Sequence, residues 1–67
     1  MRISYDKLWI LLQKNEMNKQ ALSKAANISA NTVTKLGKNE PVSMDVLLRI
    51  CKVFHCDIGD VMEIIEG

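Results

Sequence analysis

Apolar residues recur along this chain at helical spacing, three or four positions apart, and alternating runs of strand length are missing. At five places an apolar residue precedes a polar or charged residue suited to capping, and another apolar residue follows four positions after the cap. This arrangement is typical of a helix start. The five predicted starts are Ile3-Ser4-Leu8, Met17-Asn18-Leu22, Ile28-Ser29-Val33, Val42-Ser43-Leu47 and Cys56-Asp57-Val61. The pattern therefore predicts an all-α fold of five helices.

The same periodicity predicts the extent of the helices and their buried faces. The first should run from about Tyr5 to Asn15, the third from Ala30 to about Leu36, the fourth from about Met44 to Phe54, and the fifth from Ile58 to about Ile65. The second helix follows Asn18 and should bury Leu22, Ala25 and Ala26. Trp9 widens the apolar face of the first helix, and we expect it to pack at the edge of the core.

The segment from Met17 to Lys38 predicts two short helices joined by a tight turn. Ala25 and Ala26 are small enough for close helix approach, and Asn27 tolerates the left-handed backbone of a sharp turn. Gly37 and Asn39 are expected to end the second of these helices. The spacing is that of a helix-turn-helix.

Length and composition limit the function. Sixty-seven residues suffice for a single domain, 1–67, but are few for an enzyme with a deep pocket. Neither a catalytic triad nor a phosphate-binding glycine loop is found. A membrane span and a signal peptide are also missing, so we expect a cytoplasmic protein. No cofactor or small-molecule ligand is indicated.

Charge is distributed unevenly along the chain. Residues 14–38 carry a net charge of about +4 and residues 40–67 about −4, although the whole chain carries only +1. The positive charge therefore coincides with the predicted helix-turn-helix. This coincidence indicates a polyanionic partner such as a nucleic acid.

Over nearly its whole length the chain resembles the Cro and phage-repressor type of helix-turn-helix, also called the XRE family. The strongest match is ALSKAANISANTVTKL, and LLRICKVFHCDIGDVME resembles the closing helices of the family. The resemblance implies a five-helix, lambda-repressor-like domain with its helix-turn-helix in helices 2 and 3. It implies a sequence-specific regulator of transcription, expected to be a repressor, that reads the major groove of double-stranded DNA with helix 3.

The resemblance also implies roles for individual residues. Phosphate contacts fall on Lys19, Gln20, Ser29 and Lys38, and base contacts on Ala30, Asn31, Thr34 and Lys35. The chemistry agrees, because an amide can pair with adenine, a lysine can donate to guanine, and a methyl group can meet the thymine methyl. This chain departs from the family pattern at three positions, where Lys19 replaces a common Gln, Asn27 the usual turn Gly, and Gly37 a polar residue.

Surplus apolar residues in the last two predicted helices indicate a second buried surface. Leu48, Val53, Ile64 and Ile65 are the candidates for a homodimer interface on an inverted repeat. An alternative is a small helical protein-interaction module or antirepressor that binds no DNA. Cys51, His55 and Cys56 have spacing suited to a metal, but three ligands with a single His favour buried thiols, so no metal site is expected.

Overall fold

The computed structural model describes residues 2–66 and contains four α-helices and two short strands. Their order is β1 (Arg2–Ser4), α1 (Asp6–Lys14), α2 (Lys19–Ala26), α3 (Ala30–Gly37), α4 (Met44–Phe54), a 3-10 turn (Ile58–Asp60) and β2 (Glu63–Ile65). The strands pair antiparallel, with Ile3 opposite Ile64. The two ends of the described chain therefore lie side by side.

The predicted fifth helix is wrong, and the fold is mostly helical with a small antiparallel strand pair where the sequence predicted helices alone. Only Ile58–Asp60 is helical, as a single 3-10 turn, and Glu63–Ile65 forms β2. An isolated helix of eight residues is marginal in water, and Gly59 and the β-branched Ile64 and Ile65 lower helix propensity further. Strand β1 offers backbone hydrogen-bond partners to residues 63–65, and these residues therefore form a strand and not a helix.

Three of the predicted helix starts are confirmed by their caps. The side-chain oxygens of Asn18, Ser29 and Ser43 accept hydrogen bonds from the backbone N–H groups three positions later, over 2.7, 3.1 and 3.3 Å. Each bond satisfies one of the N–H groups that a helix leaves unpaired at its start. Helices α2, α3 and α4 therefore begin where the local sequence predicts.

The first helix begins differently from its prediction. Ser4 lies in β1, and Tyr5 is the residue that precedes α1; the Ser4 Oγ accepts the backbone N–H of Asp6, only two positions later, over 3.3 Å. Tyr5 is buried; its backbone N–H donates to Asn39 Oδ1 over 3.1 Å, and its hydroxyl donates to the Glu40 carbonyl oxygen over 2.8 Å. Burial raises the pKa of the Tyr5 phenol above its ordinary value, which keeps the donor protonated. Tyr5 thus ties the segment after α3 to the start of α1.

All four helices end in the same way. A residue with left-handed backbone follows each helix, and the next N–H bonds to a carbonyl five positions earlier, as in a Schellman motif. The left-handed residues, with φ between 52° and 57°, are Glu16, Asn27, Asn39 and His55. Asn27 confirms the predicted turn. Gly37, expected to break α3, is instead its last helical residue, and Asn39 makes the turn.

Replacing Glu16 with Gly should stabilise the fold, because glycine adopts the left-handed conformation without the steric cost that a Glu side chain incurs there. We expect the free energy of unfolding to rise by about 1 kcal/mol in urea denaturation. The matched control is Asn27→Gly, since asparagine already tolerates this conformation and should gain less. An equal or larger gain at Asn27 would contradict the explanation.

The core lies where the four helices and the 3-10 turn meet. Leu8, Leu22, Leu36, Ile50 and Val61 are fully buried in it. Trp9 is partly buried and packs against this core, as predicted. Ala25, by contrast with its prediction, is exposed. Its neighbour Ala26 is the small residue of α2 that is buried in the core.

Candidate nucleic-acid interface

Helices α2 and α3 are held against the core by a few apolar side chains. Leu22 and Ala26 anchor α2, while Val33 and Leu36 anchor α3. Between the helices, the buried Ile28 donates its N–H to the Ser23 carbonyl oxygen over 3.0 Å. The connection is therefore short and hydrogen-bonded, and it fixes the orientation of α3 relative to α2.

The four predicted base-contacting residues share the solvent face of α3. Ala30, Asn31, Thr34 and Lys35 are all exposed. The Thr34 hydroxyl donates to the Ala30 carbonyl oxygen over 3.1 Å, so its hydrogen is used within the helix. Thr34 is thus better suited to a methyl contact than to donating a hydrogen bond to a base.

The predicted phosphate-contacting residues surround that face. Lys19 and Gln20 lie in the first turn of α2, Ser29 caps α3, and Lys38 comes directly after its last residue. The Ser29 oxygen accepts the Thr32 N–H and lies 2.9 Å from the Thr32 hydroxyl oxygen. Two of these groups thus lie in the first turn of α2 and the other two at opposite ends of α3.

A shallow cleft of about 380 Å³ runs between α2 and α3. Two lysines, Lys19 and Lys24, border it on the α2 side, and Ala30 and Thr34 border it on the α3 side. The cleft joins the face that carries the predicted base contacts to the face that carries the predicted phosphate contacts. Its border on α2 is therefore positively charged.

The helix ends reinforce this positive character. The first turns of α2 and α3 contain no acidic residue, whereas those of α1 and α4 contain Asp6 and Asp45. The positive ends of the two helix dipoles are therefore not neutralised by their own carboxylates. Backbone N–H groups at such ends suit phosphate oxygens.

Arg2 is a basic residue that the sequence analysis did not place near the interface. It borders a second cleft together with Lys38 and Asn39, at the end of α3. The placement depends on the pairing of β1 with β2, since Arg2 lies opposite Ile65. A three-residue strand is too short to show a period of two in the sequence, so no local signal could have placed it.

Cys51 and Cys56 lie together at the end of α4, where the Cys56 N–H donates to the Cys51 carbonyl oxygen over 3.1 Å. Both are free thiols. Within residues 2–66, no group of three potential ligands is arranged to hold a metal ion. Burial, followed by the proximity of Cys56, raises the pKa of the Cys51 thiol. Both groups lie on α4 and its end, outside the helix-turn-helix.

The predicted dimer residues differ in exposure. Leu48 is 57% exposed and Ile64 63% exposed, while Val53 and Ile65 are partly buried and border separate clefts. Met44, one turn before Leu48, is 58% exposed and was not among the predicted residues.

None of the helices described between residues 2 and 66 is both long and apolar enough to cross a lipid bilayer.

Four helices with a capped helix-turn-helix and an exposed polar recognition face define a DNA-binding domain. The chain belongs to the Cro/C1-type HTH DNA-binding domain family, whose model matches residues 7–67. It is similar to the crystal structure of the transcriptional regulator VanUg, with 48% sequence identity and a TM-score of 0.92, covering 98% of this chain and 88% of that one. Among curated proteins, no match is found. The family confirms the predicted resemblance.

Proposed function

We propose that residues 1–67 act as one DNA-reading domain of a transcriptional repressor, which places α3 in the major groove. The supporting observation is the face formed by Ala30, Asn31, Thr34 and Lys35, which is exposed, polar and flanked by lysines. An α-helix with its side chains is about 10–12 Å across, and the major groove is about 12 Å wide. The groove therefore accepts this helix, and Lys19, Gln20, Ser29 and Lys38 then meet the phosphates on either side.

The length of α3 limits how much sequence one protomer reads. Its eight residues extend over about 12 Å, or about three to four base pairs. So short a contact gives little specificity, and a second protomer on an inverted repeat doubles the number of base pairs that are read. The long axis of the chain measures 32 Å, which is compatible with two protomers side by side on half-sites about 34 Å apart.

For the dimer interface we favour α4. Met44 and Leu48 are four residues apart, so they share one helix face, and both are mostly exposed. Val53 lies five residues beyond Leu48, about 140° around the helix, and therefore faces a different direction. Ile64 and Ile65 remain candidates at the strand pair, and Leu48 is the residue on which we base the test.

Selection from random duplexes should recover an inverted repeat with half-site centres about 10 base pairs apart. Sedimentation with the selected duplex should show two protomers bound. Leu48→Ser should reduce cooperative binding to the full repeat and leave binding to a half-site unchanged. Ile10→Ser is the matched control, because Ile10 is an apolar residue on α1 that is 50% exposed, close to the 57% of Leu48.

Selection of a sequence without symmetry, or only monomer in sedimentation with and without DNA at high concentration, would contradict the homodimer. The repressor role has its own test, in which the selected operator overlaps the promoter of a reporter gene. Expression should fall when the protein is present. A rise in expression would contradict repression while leaving DNA binding intact.

A further inference from the structure

The Lys19 side chain reaches from the start of α2 into the gap between α1 and α3. Its ammonium nitrogen lies 5.3 Å from the centroid of the Trp9 ring. A Cβ atom at Gly37 would lie 3.5 Å from the same nitrogen. The Lys19 ammonium group thus lies between the Trp9 ring and Gly37, which has no side chain.

The distance and orientation satisfy a cation–π interaction. A lysine ammonium within about 6 Å of a ring centroid is attracted to the ring face, and tryptophan is the strongest partner. Trp9 is partly buried against the core, so its ring is held by packing while Lys19 remains exposed. The contact therefore restricts a flexible side chain with a fixed surface.

Gly37 leaves the space that the ammonium group uses. Its backbone is helical, so no unusual φ explains the glycine. A methyl group at 3.5 Å would make ordinary van der Waals contact, but a longer side chain would compete with Lys19 for the same gap. Positions 19 and 37, which are 18 residues apart along the chain, therefore meet at one point in the structure.

We propose that Trp9 is a positioning residue that directs the Lys19 ammonium toward a DNA phosphate, with Gly37 keeping its path open. The inference rests on the proposed function, in which Lys19 contacts the backbone. A free lysine side chain loses conformational entropy when it is fixed. A side chain already held on the indole loses less on binding, so the contact is partly preorganised.

The first test uses the unbound protein. Trp9 is the only tryptophan, so its fluorescence reports on the charge beside its ring. Lys19→Met should shift the emission, whereas Lys24→Met, on the same helix and bordering the same cleft, should not. Equal spectra for the Lys19→Met variant and the unaltered protein would overturn the stacking.

The second test is a double-mutant cycle measured on duplex DNA. Lys19→Met is introduced into the unaltered chain and into the Trp9→Leu and Trp9→Phe variants, and the affinity is measured over a range of salt concentrations. We expect the loss caused by Lys19→Met to shrink by about two- to fivefold with Leu at position 9, the effect of an exposed cation–π contact. With Phe at position 9, part of the loss caused by Lys19→Met should return, because an aromatic ring remains.

Lys38→Met is the matched control, since Lys38 is also a predicted phosphate contact, and among the described residues the cation–π contact of Trp9 is with Lys19. Its effect should be equal in all backgrounds. If neither lysine change weakens DNA binding, the phosphate assignments of the proposed function fail. If both changes weaken DNA binding but the loss caused by Lys19→Met is the same with Trp, Leu or Phe at position 9, the positioning role alone is overturned.

Position 37 gives a test that leaves the core untouched. Gly37→Ala should weaken DNA binding less than Gly37→Gln, because a methyl group fits beside the ammonium. Gly37→Gln should weaken binding, and this loss should disappear in a Lys19→Met background. An equal loss from Gly37→Gln with and without Lys19 would overturn the role of Gly37.

Discussion

Replacing Asn31 with Ala should weaken binding to the selected operator by about 1–3 kcal/mol, or about 5- to 140-fold, and relax the preference at one base pair. Asn31 is exposed on α3, and its amide is the one group on this face that can both donate to and accept from the same adenine. Binding to unrelated duplexes should hardly change, because that binding depends on phosphates. Competition titrations with single-base operator variants measure the effect.

Lys35 and Lys38 supply a matched pair within the same prediction. They are the same residue type three positions apart, yet we assign Lys35 to a base and Lys38 to a phosphate. Lys35→Ala should relax sequence preference, whereas Lys38→Ala should weaken all sequences and reduce the slope of log affinity against log salt by about one. If the two variants behave alike, or if Asn31→Ala has no effect on the operator, the assignment of the groove face is wrong.

Replacing Leu36 with Ala should lower the free energy of unfolding by about 2–5 kcal/mol. Leu36 is fully buried and, with Val33, is one of only two buried side chains on α3. The total stability of a chain this short is of order 3–10 kcal/mol, so the variant should be partly unfolded at physiological temperature. Thermal and urea denaturation measure the loss.

The control for this variant is Leu48→Ala, which removes the same atoms from a side chain that is 57% exposed. Its effect should stay within about 0.5 kcal/mol. A loss at Leu36 no greater than the loss at Leu48 would show that α3 is not held by this contact. Operator DNA should restore part of the folded fraction of Leu36→Ala, because a ligand that binds only the folded state stabilises it.

Local signals predicted α2, α3 and α4 because the interactions that begin and end these helices span few residues. Asn18, Ser29 and Ser43 bond to groups three positions away, and Asn27 makes its turn with its immediate neighbours. The exposed face of α3 follows from its period once Val33 and Leu36 are assigned to the core. These parts of the candidate site could therefore be predicted from the sequence without knowledge of the fold.

The segment after Asp57 shows where local signals fail. Asp57 and Val61 have the spacing of a helix start, and Asp60 Oδ2 does accept the Asp57 N–H over 3.1 Å. The conformation of residues 63–65 is decided by β1 at the other end of the chain, because the two segments pair as strands. Lys7 also bonds to the Gly59 carbonyl oxygen over 3.0 Å, which holds the 3-10 turn against α1.

The sequence by itself determined the family, the helix-turn-helix and the residues on the outer face of α3, because capping and periodicity are interactions between near neighbours. Only the tertiary structure decided that the chain ends meet as strands and that Arg2 lies beside Lys38. It alone also placed Lys19 between Trp9 and Gly37. These contacts join residues that are far apart along the chain, and a pattern of neighbouring residues carries no information about such pairs.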